Sequence, residues 1–251
     1  MNVGGVAGGR ILTMRALACL LLLGFALYGQ LKRPVEEFQT SGGAVRITPI
    51  RHASLLIQAA GQALYVDPTK EGNYDGLPPA DLIVITDIHF DHMDLTKVAE
   101  LRKPGTVIIA PQAVAKSVPE AAVIRIGETI EFAKWKIEAV AAYNIPREPG
   151  AQVFHEKGRG VGYVLSYGGK RFYFSGDTQN IPEMRALKNI DVAFVCMNLP
   201  YTMAPAEAAE AVRAFKPAIV YPYHYKGSDL TLFAKALAGS GIEVRIRDWY
   251  Y

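Results

Sequence analysis

Four side chains that can bind a metal ion lie within one six-residue segment, Asp87-Ile88-His89-Phe90-Asp91-His92. The segment follows an apolar run, Leu82–Thr86, which is typical of a buried β-strand. A strand that ends in such a cluster brings several ligands to one point at the edge of a sheet. Carboxylate and imidazole groups together suit zinc, manganese or iron. The segment therefore predicts a metal centre at a sheet edge.

The rest of the sequence alternates between short strands and helices in two similar halves. Hairpin strands come first in each half, and strands mixed with helices follow. In the first half the turn Gly61-Gln62 separates two strands, and in the second half Gly168-Gly169 does the same. A helix is predicted over Pro205–Phe215, with the proline in its first turn. This order predicts an α/β (α+β) chain in which two sheets pack face to face with helices outside.

The N-terminal segment differs in character from the rest. Arg10 and Arg15 are followed by an apolar run at residues 16–29. A membrane-spanning helix needs about 20 apolar residues, so residues 1–29 are expected to be a signal peptide, with an N-terminal anchor as the alternative. Residues 30–43 are expected to be a linker and residues 44–251 the folded domain. We therefore expect an exported protein, either periplasmic or anchored to the membrane.

Charge and cysteine content restrict the partners and the covalent chemistry. The formal net charge is +3, and two of the basic residues belong to the N-terminal segment. The sequence gives no support for nucleic-acid binding, and a small-molecule or lipid-like substrate is expected instead. The oligomeric state is not predicted. After signal cleavage Cys196 would be the remaining cysteine, so no intrachain disulfide is expected, and its apolar surroundings predict a buried thiol.

Further metal-capable residues follow predicted strands later in the chain. Asp177 stands in Ser175-Gly176-Asp177-Thr178, and His224 follows the strand that contains Tyr221. Asn144 follows a strand through Ala141. The histidines lie at or near strand ends or in neighbouring loops, which scattered core histidines would not be expected to do: His52, His89, His92, His155 and His224.

Taken in order, these segments resemble the metallo-β-lactamase superfamily of hydrolases over about residues 44–247. Within it, the sequence is similar to the broad bacterial subgroup of ascorbate-phosphate lactonase-like proteins and the phospholipase D that cleaves N-acyl-phosphatidylethanolamines. Such proteins carry His-x-His-x-Asp-His, a mid-chain His, a Gly-Asp-Thr or similar, and a late His. The resemblance implies a four-layer αβ/βα sandwich with metal ions between the two sheet edges.

The resemblance also implies two metal sites and their ligands. The first site would use four residues: Asp91, His92, Asp177 and His224. The second would share the acid of the Gly-Asp-Thr motif: Asp87, His89, Asn144 and Asp177. Asp87 stands where the family has its first His, and Asn144 is near the place of the mid-chain His, where an ordinary turn residue is the alternative. Carboxylate and amide ligands favour harder ions or weak filling of that site. One or two divalent ions are expected, zinc first, with manganese or iron as alternatives.

Three more residues are assigned less directly. His52 would form part of the pocket wall or support a ligand, unless it lies on the surface at a strand end. Asp67 would brace a ligand histidine, or serve as a turn residue before Pro68. His155 lies in a loop, from which it would act as an extra ligand or a general acid, or remain a surface residue.

The resemblance implies hydrolysis of an ester, lactone, amide or phosphodiester by a metal-activated water. Asp91 and His155 are the predicted catalytic residues. One alternative is a catalytically degenerate metal-binding or ligand-binding domain of the same fold, which the unusual Asp87 and Asn144 would suit. A metal-dependent oxidoreductase is the other alternative, although such members of the superfamily usually add a flavin domain.

Overall fold

A computed structural model of the chain describes Met1 and residues 33–250. The predicted signal peptide or anchor at residues 1–29 lies outside this part, apart from Met1. Among the helices of the described residues, none is long and apolar enough to cross a membrane.

The first sheet contains seven strands in chain order. They are β1 (Glu36–Phe38), β2 (Val45–Arg51), β3 (Ser54–Ala59), β4 (Gln62–Val66), β5 (Ala80–Val84), β6 (Arg102–Ala110) and β7 (Ala122–Val123). Strands β1 to β4 pair antiparallel, and β4 to β7 pair parallel. Two helices belong to this half, α1 (Leu95–Leu101) and α2 (Gln112–Ala115).

The second sheet repeats the same pattern. Its strands are β8 (Thr129–Phe132), β9 (Trp135–Ala142), β10 (Gly160–Tyr167), β11 (Lys170–Phe174), β12 (Val192–Cys196), β13 (Ile219–Tyr223) and β14 (Glu243–Val244). Strands β8 to β11 pair antiparallel, and β11 to β14 pair parallel. The helices of this half are α3 (Pro182–Arg185), α4 (Pro205–Phe215) and α5 (Leu230–Leu237). Each half therefore has hairpins first and strands mixed with helices afterwards, as predicted. The parallel pairing of these later strands is a finding of the structure.

Alternating side chains arrange the sheets and helices in layers. Successive residues of a strand point to opposite faces, so β3 places Leu55 in the core between the sheets and Leu56 in a second core with Val98 of α1. On the other side of the molecule, Tyr173 of β11 contacts Phe215 of α4, with ring centroids 5.7 Å apart. The predicted four-layer αβ/βα sandwich is confirmed.

The described part of the predicted linker belongs to the sandwich instead. Residues 36–38 form β1, which pairs with β2. Phe38 is buried, and its ring lies 5.6 Å from that of Phe172 in the second sheet. Glu36 accepts hydrogen bonds from Tyr221 and Arg247. A short polar segment with one apolar anchor gave no periodic signal, and its order comes from these tertiary contacts.

Candidate metal centre

The predicted ligands lie where parallel strands of both sheets end. Asp67 follows β4, and the segment Asp87–His92 begins shortly after β5. Asp177 follows β11 and His224 follows β13. Because the carboxyl ends of parallel strands meet at one edge of a sheet, each half brings its turns to the same place. The two halves together form one candidate centre.

Three non-glycine residues at this edge have left-handed backbone conformations. They are His52 with φ 54°, Asp67 with φ 46° and His224 with φ 47°. Such conformations cost of order 1–3 kcal/mol each and persist where surrounding contacts impose them. Here the backbone N–H of His224 donates to the carbonyl of His52 at 3.2 Å, which joins two of these turns. The strained backbone indicates that surrounding contacts fix the directions in which these three side chains point.

The first cluster consists of His92, Asp177 and His224, which are all buried. His92 Nε2 lies 3.1 Å from Asp177 Oδ2, and His224 Nε2 lies 3.2 Å from Asp177 Oδ1. Asp91 flanks the cluster, with its Oδ2 3.5 Å from His224 Nε2. The structure therefore brings together the four residues predicted for the first metal site.

Buried atoms without partners test whether this cluster suits a cation. Within the described part of the chain, His92 Nε2, His224 Nε2 and Asp177 Oδ1 are buried and make no hydrogen bond. A buried polar group left unsatisfied costs roughly 1–3 kcal/mol, so native proteins rarely leave several together. Two imidazole nitrogens and a carboxylate oxygen that converge are a ligand set for zinc. The residues present fit a divalent metal ion.

Asp67 and Thr86 hold His92 in place from behind. His92 Nδ1 donates to Asp67 Oδ2 at 2.8 Å, which directs Nε2 into the cluster. Thr86 donates to the same carboxylate through its backbone N–H at 2.7 Å and its hydroxyl at 2.6 Å. Such supporting contacts fix the tautomer and orientation of a metal-binding histidine. The geometry confirms the predicted contact between Asp67 and a candidate ligand histidine.

Opposite charges at close range control protonation in the cluster. Burial alone lowers the pKa of His92, but the carboxylates of Asp177 and Asp67 raise it well above its usual value. Burial alone raises the pKa of Asp177, but His224 and His92 hold it well below its usual value. The cluster therefore stabilises ionised carboxylates, which are the form that binds metal.

A second cluster consists of Asp87, His89 and His155. His89 Nδ1 lies 3.3 Å from Asp87 Oδ2 and 3.2 Å from His155 Nε2. His155 Nε2 is also 2.9 Å from Asp177 Oδ2, which joins the second cluster to the first. Asp177 therefore contacts residues of both clusters, as expected for a carboxylate that two sites share.

His155, rather than Asn144, stands beside Asp87 and His89, which corrects the ligand prediction for Asn144. Asn144 Oδ1 accepts hydrogen bonds from the backbone N–H of His155 at 3.0 Å and from its Nδ1 at 2.9 Å. The Asn144 N–H in turn donates to the His155 carbonyl at 2.8 Å. Asn144 thus orients His155, which is buried and not a surface loop residue. These contacts hold the loop between β9 and β10 against the candidate metal centre, and no local sequence pattern indicated them.

A neutral histidine and a tyrosine support Asp91. Burial, with a contribution from His224, lowers the pKa of His52 to about 4, so its ring is neutral at pH 7. The Tyr250 hydroxyl lies 2.6 Å from His52 Nδ1, and His52 Nε2 lies 3.3 Å from Asp91 Oδ2. Tyr250 therefore donates to one ring nitrogen while the other donates to Asp91. Tyr250 was not among the residues predicted from the sequence.

A cavity of about 480 Å³ opens over both clusters. His89, Asp91, His155 and Asp177 line it on the metal-centre side. Aromatic side chains line it elsewhere, namely Phe90, Phe154, Tyr201 and Tyr250, with Lys70 and Lys226 among the other lining residues. Phe90 is 80% exposed although it lies between two metal-capable residues. The cavity thus combines a polar floor with apolar walls, which is typical of small-molecule sites.

Comparison with known proteins agrees with this arrangement. The family profile described as beta-lactamase superfamily domain matches residues 46–224. A UPF0173 metal-dependent hydrolase of Thermococcus kodakarensis is 31% identical over 194 residues, which are 72% of this chain and 84% of that protein. A crystal structure from Parabacteroides distasonis, described as a metal-dependent hydrolase, is 40% identical with a TM-score of 0.83, over 87% of this chain and 100% of that one. Igni18, a metallo hydrolase from Ignicoccus hospitalis, shares the fold at 21% identity and a TM-score of 0.68, over 82% of this chain and 96% of that one. The range matched by the profile contains every residue of both clusters.

Proposed function

Because this chain belongs to the beta-lactamase superfamily, we propose that it is a metal-dependent hydrolase whose ion is held by His92, Asp177 and His224. The observation that carries the proposal is the convergence of three buried ligand atoms without hydrogen-bond partners among the described residues. A bound divalent ion would supply Lewis-acid stabilisation of negative charge and lower the pKa of a water. The names of the relatives support hydrolysis as the reaction class.

Asp91 is the residue placed to orient the attacking water. It lines the cavity, and its neighbours fix its position, since His52 and His224 both contact Oδ2. Burial alone would raise the pKa of Asp91, but the close contacts with His224 and His52 hold it well below its usual value. An ionised carboxylate at this position can accept a hydrogen bond from the water and so orient it for attack.

His155 is the residue placed to act on the leaving group. It lines the same cavity, and Asn144 fixes its ring through Nδ1. Its Nε2 faces Asp177, so one imidazole edge is directed towards the reacting region. In this proposal His155 hydrogen-bonds the departing oxygen or nitrogen and supplies its proton.

The cavity walls favour a small-molecule or lipid-like substrate with an apolar part. Phe154 and Tyr201 contact each other in an edge-to-face arrangement with centroids 4.9 Å apart, and Phe90 is exposed nearby. Lys70 and Lys226 can attract an anionic group on the same substrate. We propose an ester, lactone, amide or phosphodiester as the bond that is cleaved.

Turnover by the metal-loaded protein tests the proposal. Protein loaded with zinc or manganese is assayed on a panel of ester, lactone, amide and phosphodiester substrates, beside an Asp177→Asn variant. We expect Asp177→Asn to lower the rate by at least about 100-fold, because a ligand matters more than the groups that support it. Asp75→Asn, at an exposed position of a polar loop, is the matched control and should keep the wild-type rate.

Two outcomes would contradict the hydrolase proposal. Less than about a tenth of an equivalent of bound metal after supplementation would exclude a metal-dependent enzyme. Stoichiometric metal without turnover of any substrate class would favour the alternative of a degenerate binding domain.

We also propose that residues 1–29 direct export, with the domain either released into the periplasm or held at the membrane. The support is the apolar run at residues 16–29 behind Arg10 and Arg15. Fractionation of bacterial cells that express the whole chain, with N-terminal sequencing of the product, tests this. A cytosolic product with an intact N-terminus would contradict export.

A further inference from the structure

The second cluster already contains a positive charge, the guanidinium of Arg159. Arg159 Nη2 lies 2.8 Å from Asp87 Oδ2, and its Nε lies 3.2 Å from Asp87 Oδ1. The backbone N–H of Ile88 also donates to Asp87 Oδ1 at 2.7 Å. Both oxygens of the carboxylate therefore accept hydrogen bonds. This two-point geometry is the one in which arginine binds carboxylates most strongly.

The ion pair is largely removed from water. The side chain of Asp87 is 3% exposed and that of Arg159 is 22% exposed. Exposed ion pairs are held loosely, whereas a desolvated pair with good geometry is costly to break. Arg159 is not among the described residues that line the cavity. Its charge therefore acts on the cluster through Asp87 rather than on a substrate.

The backbone around Arg159 is shaped for this contact. A Cβ atom at Gly160 would lie 3.0 Å from the Thr86 carbonyl oxygen and 3.3 Å from Asp87 Cγ. Glycine at this position allows the start of β10 to approach the metal-rich segment, and Val161 N–H donates to the Thr86 carbonyl at 2.9 Å. The pairing at the start of β10 thus holds the backbone next to Arg159 close to Asp87.

Resting on the proposed metal-dependent function, we infer that Arg159 takes the place of a second metal ion. The chain would then bind one divalent cation, in the first cluster, while the guanidinium neutralises Asp87. Like charges at short range repel, and a guanidinium cannot lose its proton at accessible pH. Asp87 and the Gly-Arg-Gly sequence at 158–160 together form the ion pair that occupies the second cluster. Arg159 is a positioning residue, since it acts through Asp87.

Metal stoichiometry and spin coupling test this inference without any substrate. The metal-free protein is dialysed against excess Mn²⁺, and bound metal is measured by mass spectrometry and electron paramagnetic resonance. We expect the wild type to hold about one ion per chain with an uncoupled spectrum. Arg159→Met, which removes the charge and keeps the chain length, should raise the ratio about twofold and give an exchange-coupled signal from neighbouring ions.

Two further variants separate charge from structure. Arg159→Lys keeps a positive charge and should keep the wild-type ratio. Arg125→Met removes an exposed charge that pairs with Glu128 elsewhere on the surface, and it should also keep that ratio. Circular dichroism verifies that each variant is folded. If Arg159→Met does not fold, the wild-type ratio still tests the inference, because two coupled ions there would contradict it.

The contrary outcomes are distinct from one another. Two coupled ions in the wild type would overturn the role of Arg159 and leave the proposed hydrolase intact. A single ion in folded Arg159→Met would likewise overturn it. No bound metal in any variant would overturn the proposed function and this inference together.

Discussion

At the scale of the residue, the buried carboxylate of Asp67 decides which nitrogen of His92 faces the metal centre. It is fully buried and receives hydrogen bonds from Thr86 as well as from His92. Burial raises the pKa of Asp67, and its contacts with His92 counteract this effect. A group outside the cluster therefore controls the geometry of a proposed metal ligand.

Replacing Asp67 by asparagine should weaken metal binding without removing a ligand. The amide has no negative charge to stabilise the His92 imidazole, so we expect zinc affinity to fall by about 10–100-fold. Competition with a chromogenic chelator measures this, and Asp75→Asn serves as the matched control. Unchanged affinity in a folded Asp67→Asn protein would contradict the assigned role.

Metal binding should release a proton from His92. Its pKa lies well above the usual value in the metal-free protein because Asp177 and Asp67 outweigh the effect of burial. The ring is therefore protonated at pH 7 and must lose its proton to bind metal. Affinity should rise as pH rises towards this raised pKa and level off above it. Calorimetry at one pH in two buffers of different ionisation enthalpy detects the release, and equal heats in both buffers would exclude it.

Short sequence motifs predicted most residues of the candidate metal centre. The residues that the motifs did not assign correctly lie in loops. His92, Asp177 and His224 follow strands, so topology alone brings them together. His155 and Arg159 lie in or at the end of the connection between β9 and β10, where no periodicity indicates the path of the chain. The Gly-Arg-Gly sequence was the available signal for Arg159. Its meaning depends on Asp87, which is distant in sequence.

At the scale of the element, the end of β11 depends on a glycine. Gly176 has φ 58°, and a Cβ atom there would lie 2.7 Å from the Val161 carbonyl oxygen of β10. Its N–H donates to the Tyr223 hydroxyl at 2.9 Å. The turn that presents Asp177 thus requires both a left-handed backbone and the absence of a side chain.

Alanine at Gly176 should be more destabilising than alanine at a strained glycine that has open space around it. Gly127 has φ 86°, and a Cβ atom there would have none of the described residues' atoms within 4 Å, so Gly127→Ala should cost about 1 kcal/mol. Gly176→Ala adds a backbone clash and should cost about 2–4 kcal/mol. Urea unfolding of both variants measures the two losses. Equal losses would show that the clash relaxes freely.

Strands with clear alternation or apolar runs were predictable, whereas β1 was not. Cys196 lies in β12 and is buried as expected, and burial raises the pKa of its thiol to about 12. By contrast, β1 contains three residues and has Phe38 as its apolar anchor. Its order derives from pairing with β2 and from contacts with the second sheet, which a local pattern cannot reveal.

At the scale of the whole molecule, the candidate metal centre contains residues from both halves of the sandwich. The first half contributes His92 and the second contributes Asp177 and His224. An ion bound to all three stabilises the folded chain in proportion to its occupancy, by about 2.7 kcal/mol at 100 times its dissociation constant. Stability should therefore depend on metal as well as on the two hydrophobic cores.

Removal of metal should lower the melting temperature by about 5–10 °C for a chain of this size. Calorimetric scans of the zinc-loaded and chelated protein measure the difference. The His224→Ala variant should melt near the chelated value whether or not zinc is present. A melting temperature that does not respond to zinc in the wild type would show that the ion contributes nothing to folding.

The repeated order of antiparallel and then parallel strands also bears on how the chain reaches its native state. Hairpins such as β3–β4 and β10–β11 are local and can form early, whereas the parallel pairs β4–β5 and β12–β13 join distant segments. The ligands follow strands that take part in parallel pairing in each half. A complete metal-binding pocket can therefore exist only after the slow, non-local pairing of both sheets is finished. The time at which high metal affinity appears during refolding would therefore report when the last step of folding is complete.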